Sequence, residues 1–217
     1  MRTLLALAAS LLLPFAAAGA QPPGAGERYT PVGIWANAED AEFYEGWFGP
    51  RLRAMGEPIL SRSGDRQRFR RRFRMLVIPH YSRPWAVRID ERNTGGAMVR
   101  RVELDGPGAA RMPRSIRRQK RFGIGRDDIA ALELRFALAR LRDFALLEEP
   151  PTPPVPEIDP ATGEVREHEI AICFHGTQYV FELVDEAGYH MIQRSRCHMP
   201  PELLELIRTL RRLHWNG

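Results

Sequence analysis

Between Arg68 and Val77 the chain reads RFRRRFRMLV, and its period is two. Phe69, Phe73, Met75 and Val77 fall on one side of an extended segment and Arg68, Arg70, Arg72 and Arg74 on the other. That pattern predicts a strand with one buried face and one cationic face. A strand of this kind needs neighbours, and the next residues supply them. Pro79 ends the run, and Trp85, Val87 and Ile89 alternate with Ala86, Arg88 and Asp90 in a second strand. Asn93-Thr94-Gly95-Gly96 is a hairpin signal that returns the chain through a third strand over Ala97 to Leu104.

Helical spacing appears on both sides of this unit. Phe43, Tyr44, Trp47 and Phe48 predict a short amphipathic helix over Ala38 to Phe48, which Gly49-Pro50 ends or bends before Arg51 to Met55 adds one turn. After Asp105-Gly106-Pro107-Gly108, the residues Arg111, Arg114, Arg117, Arg118, Lys120 and Arg121 form a basic loop. Asp127 is placed to cap a long helix reaching about Leu146. Ile129, Leu132, Phe136 and Ala139 would form its apolar stripe, widened by Leu134, Leu138, Leu141 and Ala145.

Further strands are expected over Glu169 to Phe174, Gln178 to Val184 and Tyr189 to Arg194, with turns at His175-Gly176 and Glu186 to Gly188. A last helix starts at Pro200-Pro201 and aligns Leu203, Leu206, Ile207, Leu210 and Leu213. The fold class that follows is α+β: an antiparallel sheet of hairpins packed against one long central helix and a C-terminal helix.

The N-terminus reads as a leader rather than as part of this domain. Met1 and Arg2 precede an apolar run from Leu4 to Phe15 and small residues ending in Ala18-Gly19-Ala20, the pattern of a signal peptide cut before Gln21. The run is well short of the roughly 20 residues that span a bilayer, and the rest of the chain has no longer one, so no transmembrane segment is expected after cleavage. The division is therefore residues 1–20 as signal peptide, 21–28 as a flexible tail, and 29–217 as a single domain with a Pro-rich excursion at 148–168. The protein is expected in the periplasm or outside the cell, free in solution, where intracellular nucleic acid is not a partner.

Export gives the two cysteines their simplest reading. Cys173 and Cys197 are an even pair and are expected to form one disulfide, with two buried thiols as an alternative. A metal pair completed by His175 and His198 is the weaker alternative, because Cys197 and His198 are adjacent and neither cysteine sits in a C-x-x-C.

The segments Gly56 to Leu60, Phe73 to Asp90 and Phe174 to His190 resemble a group of exported hypothetical proteins of Gram-negative bacteria. Glu182 and Tyr189 match that pattern, whereas His175 stands where the group often carries Asp. The resemblance brings no activity, ligand or cofactor with it.

Two classes of role remain. His175, His190 and Glu182, with Arg194 nearby, would suit acid–base attack on a phosphodiester, although Glu182 equally suits a structural pair with Arg194 or Arg88. No G-x-S-x-G, H-E-x-x-H or phosphate-binding glycine loop accompanies them, and no cofactor is implied. The second class is a non-catalytic binding protein. The formal charge is +5, and Lys120 is the only lysine, so the basic groups are almost all guanidinium. Arg68, Arg70, Arg72 and Arg74, together with Arg114, Arg117 and Arg118, would form a face for an anionic envelope component or an acidic protein. An arginine content raised by genome composition, with the side chains lying across a solvated sheet, is the bland alternative.

Overall fold

The computed structural model describes residues 24, 27–62, 68–106, 115–143, 157–158, 162, 165–166 and 176–212. The expected leader, most of the Pro-rich excursion and the expected strand over Glu169 to Phe174 lie outside the described residues, as do Arg114, Cys173 and His175.

The protein is α+β. Its elements are α1 (Ala38–Ala54), β1 (Phe69–Ile78), β2 (Trp85–Arg92), β3 (Ala97–Leu104), β4 (Ile116–Ile124), α2 (Arg126–Leu138), β5 (Glu157–Ile158), β6 (Val165–Arg166), β7 (Gln178–Asp185), β8 (Gly188–Ser195), a 3-10 turn at Arg196–His198, and α3 (Pro201–Arg212). Six strands form one antiparallel sheet in the order β4-β3-β2-β1-β7-β8. Strands β5 and β6 pair separately. Gly95 and Gly96, with φ of 89° and 74°, supply the left-handed conformations that turn β2 into β3.

Alternation along each strand gives the sheet two apolar faces. Phe73, Met75, Val77, Val87, Ile89, Val99, Phe181 and Leu183 pack against Ile129, Leu132 and Phe136 of α2 and Leu203, Leu206, Ile207 and Leu210 of α3. Leu76, Ile78, Ala86, Val102, Leu104 and Val180 pack against Phe48, Leu52 and Met55 of α1 and against Tyr29 and Trp35 before it. Each such side chain contributes roughly 1.5–3 kcal/mol through burial. The sheet is therefore covered on both sides, and the face that carries Arg72 and Arg74 is not open to solvent.

Helix α1 begins at Asn37, whose side chain accepts a hydrogen bond from the Asp40 amide at 2.8 Å. Gly49 and Pro50 do not end it. Phe48 and Leu52, on either side of Pro50, are buried on the sheet, and that packing carries the helix across the proline. It stops at a Schellman turn. The Gly56 amide donates to the Arg53 carbonyl and the Glu57 amide to the Leu52 carbonyl, each at 2.9 Å, with Gly56 at φ 63°.

Two expectations are corrected here. The helix after Gly125 has 13 residues, ends at Leu138 rather than near Leu146, and is capped by Gly125 without a side-chain bond, so Asp127 lies inside its first turn. Ile129, Leu132, Phe136, Ala139 and Leu141 are buried as expected, but Leu134 and Leu138 point to solvent. The second correction is that residues 116–124 of the basic loop form β4, an edge strand of the main sheet.

Candidate functional site

The arginines of β1 do not make one cationic face. A bulge between Phe69 and Arg71 leaves Arg70 opposite no residue of β2, and the alternation breaks there. Arg70 and Arg71 both reach Glu91, at 2.6 and 2.7 Å, and both reach Glu133 of α2. Arg72 and Arg74 turn to the other side, the face against which Tyr29 and the segment after α1 also pack, and are buried. Arg72 pairs with Asp90 at 2.9 Å, and Arg74 makes a two-pronged pair with Glu182 at 2.5 and 2.7 Å. Arg68 is exposed, with its guanidinium 5.7 Å from the Phe69 ring centre. The expected anion-binding stripe is corrected accordingly: Arg70, Arg72 and Arg74 have carboxylate partners within the fold.

The buried pairs join into one network. Glu57, delivered by the turn after α1, accepts from Arg88 at 2.8 Å and from Arg100, and its carboxylate is 3.7 Å from Arg74. Arg88 also reaches Asp90 at 2.8 Å. The Tyr189 hydroxyl donates to Glu182 at 2.9 Å, and the Tyr29 hydroxyl donates to the Glu57 carbonyl at 3.0 Å. Burial acts to raise the Glu57 carboxyl, but the guanidinium groups of Arg88, Arg74 and Arg100 outweigh it and hold it below its ordinary value. This network ties the segment after α1 to the sheet through Glu57 and the Pro58 carbonyl.

Strand β4 differs. Arg117, Arg118 and Arg121 are exposed and Lys120 is half-buried. The register sets Lys120 opposite Arg101 and Arg121 opposite Arg100, which places like charges face to face, a destabilising arrangement in a sheet. On the Trp85 side, Arg101 lies 4.1 Å and Arg211 of α3 5.8 Å from the indole ring centre. Burial lowers the Arg101 guanidinium to about 10, with Glu103 opposing and Arg211 reinforcing the shift. It therefore stays protonated at neutral pH. Glu103 is the carboxylate within this group, opposite Arg118 and 3.7 Å from Arg117. Arg117 and Arg118 flank it, Arg101 interacts with both Glu103 and Arg211, Lys120 lies opposite Arg101, and Arg121 lies on the reverse side of the strand. Sequence reasoning named Arg117 and Arg118 but missed Arg101 and Arg211, which reach the cluster only through the β3–β4 register and the seat of α3 on the sheet.

Of the acid–base candidates, Glu182 and His190 lie among the described residues, and they do not converge. Glu182 faces α1, fully buried and paired with Arg74, whereas His190 is opposite Leu183 on the other side of the sheet. Arg194 lies opposite Tyr179 and is buried. A cleft of about 270 Å³ lies where the start of β1 meets the end of β7, near Phe69, Arg70, Arg72 and Asp185. Arg70, Arg72 and Asp185 in its lining are paired with Glu91, Asp90 and Arg142, and the exposed Glu186 completes its charged groups. Among the described residues, no group of three or more His, Cys, Asp or Glu side chains is placed to hold a metal ion. No described helix is long and apolar enough to cross a membrane. Comparison with protein-family models and with curated proteins finds no match to this chain.

Proposed function

We propose that this is an exported, non-catalytic binding or accessory protein that holds an anionic envelope partner on the basic edge formed by β4. The observation that supports the reading is a contrast between two arginine-rich strands. Arg70, Arg71, Arg72 and Arg74 of β1 each meet a carboxylate inside the fold, whereas β4 presents Arg117, Arg118, Lys120 and Arg121 on an edge strand, the three arginines exposed and Lys120 half-buried. Four basic side chains within five residues of an edge strand concentrate positive potential there, which draws an anionic partner. Export rests on the leader pattern of residues 1–20, and intact mass is expected to show a chain beginning at Gln21.

The test compares two variants of equal charge. One replaces Arg117, Arg118, Lys120 and Arg121 with Ser; the other replaces the exposed Arg68, Arg140, Arg196 and Arg208. Binding to anionic vesicles, a sulfated polysaccharide and an acidic polypeptide is measured at low and high salt. The expected result is salt-sensitive binding to at least one probe, lost in the β4 variant and kept in the control. Equal loss in both variants, or no binding to any probe, overturns the proposal.

A further inference from the structure

The basic cluster lies on an edge strand, and the backbone there is as informative as the side chains. The Leu104 amide donates to the Pro84 carbonyl, on the β2 side, at 2.9 Å. Amides alternate along a strand, so those of Glu103, Arg101 and Val99 turn toward β4. Their facing residues include Lys120, opposite Arg101, and Phe122, opposite Val99, which turn their own amides and carbonyls inward. Gln119, Arg121 and Gly123 therefore direct amide and carbonyl outward. Among the described residues no strand pairs with that outer edge.

We infer that the outer edge of β4 receives an extended acidic segment of a partner protein as a seventh strand, a binding mode that rests on the anionic-partner reading above. Backbone pairing to Gln119, Arg121 and Gly123 supplies attachment, and the side chains supply selection. In the commoner antiparallel pairing, acidic residues at positions n, n+1 and n+3 of the incoming segment meet Arg121, Lys120 and Arg118. The residue at n−1 lies against Phe122. Charge also decides what the edge refuses. A second copy of β4 would bring its own basic row against this one, so self-pairing is disfavoured and an acidic strand is favoured.

The test uses an eight-residue acidic, β-branched peptide with blocked ends, together with the same peptide N-methylated at alternate residues. Methylation keeps the charge and removes the backbone donors. We expect the parent peptide to bind in a salt-sensitive way and the methylated one at least ten-fold more weakly. On the protein, Gln119→Pro leaves every charge in place and removes one outward donor, at a position where an edge strand accepts proline. It should weaken the peptide about ten-fold while leaving sulfated-polysaccharide binding unchanged. Hydrogen exchange provides a measurement on the unaltered chain: the amides of Gln119, Arg121 and Gly123 should slow when peptide binds. Equal affinity of the methylated peptide, or no slowing at those amides, overturns the inference. Vesicles or polysaccharide binding through β4 without the peptide overturns it and leaves the proposed function standing. Failure of every anionic probe removes both.

Discussion

Arg74 and Glu182 lie directly opposite one another in the β1–β7 register, 108 residues apart in the chain, joined by two hydrogen bonds of 2.5 and 2.7 Å with neither side chain reaching solvent. Pro58 offers its carbonyl to the remaining prong of the guanidinium at 2.7 Å, so the sheet and the segment after α1 are tied through one side chain. A pair of this kind is costly to half-remove. Glu182→Ala should lose about 3–5 kcal/mol in urea denaturation, because a buried guanidinium is left without its counter-charge. Arg74→Met combined with Glu182→Leu should recover most of that loss. A single variant that is no less stable than the parent would show that the pair does not hold the layers together.

Stability should fall at both ends of the pH scale for separate reasons. Glu57 titrates below its ordinary value in the fold, so its contribution is complete above the unfolded carboxylate value of about 4.3 and is lost as pH falls through the lower folded value. Glu57→Gln should therefore be less stable at neutral pH and show a flatter acid limb. At the alkaline end, burial raises both Tyr29 and Tyr189, with Glu182 adding to the shift at Tyr189. Their contribution is complete below the unfolded tyrosine value of about 10 and declines as pH rises above it. Phenolate absorbance should show Tyr29 and Tyr189 failing to ionise near 10 until the chain unfolds, each assigned by its Phe variant. Titration of both near 10 in the folded protein would contradict this.

Gly56 should resist replacement for a conformational reason. A Cβ there would meet the Arg100 guanidinium at 3.7 Å, an ordinary contact, so space is not the obstacle. The obstacle is φ of 63°, which costs an L-residue roughly 1–2 kcal/mol. Gly56→Ala should lose about that much in chemical denaturation and Gly56→Asn less, since Asn tolerates the left-handed region better. Equal stability of all three would mean the turn can relax without moving Glu57.

Cys173 and Cys197 should be bridged when the protein is produced in an oxidising compartment. A link closing about 25 residues contributes roughly 3–4 kcal/mol in the chain-entropy model. Alkylation before and after reduction, read by mass, should find both cysteines protected only before reduction. Two alkylated thiols in the unreduced protein would exclude the bridge.

Local pattern made much of the fold legible. The alternation through Val77 and Ile89, the glycine pair after Asn93, and the Leu203 to Leu210 stripe depend on neighbours a few residues away, and β1, β2, β3 and α3 follow from them. Strand β4 was hidden because four cations in nine residues look like a solvated loop, and only Phe122 and Ile124 keep the apolar alternation. The helix after Gly125 was overextended because its leucine-rich tail continues the helical pattern past Leu138, while the chain takes a positive φ at Arg140.

Local pattern sets which residues share a side wherever a strand is regular, as from Arg72 through Ile78, because alternation is a property of the extended backbone, but the bulge at Arg70 was not legible in it. It did not determine what covers each side. Covering Arg74 depends on Glu57 and Glu182, which come from distant parts of the chain. Only their meeting turns an expected cationic surface into a buried, neutralised layer. The same assembly brings Arg101 and Arg211 beside Lys120, so the basic edge on β4 is a product of register and packing rather than of any run of residues.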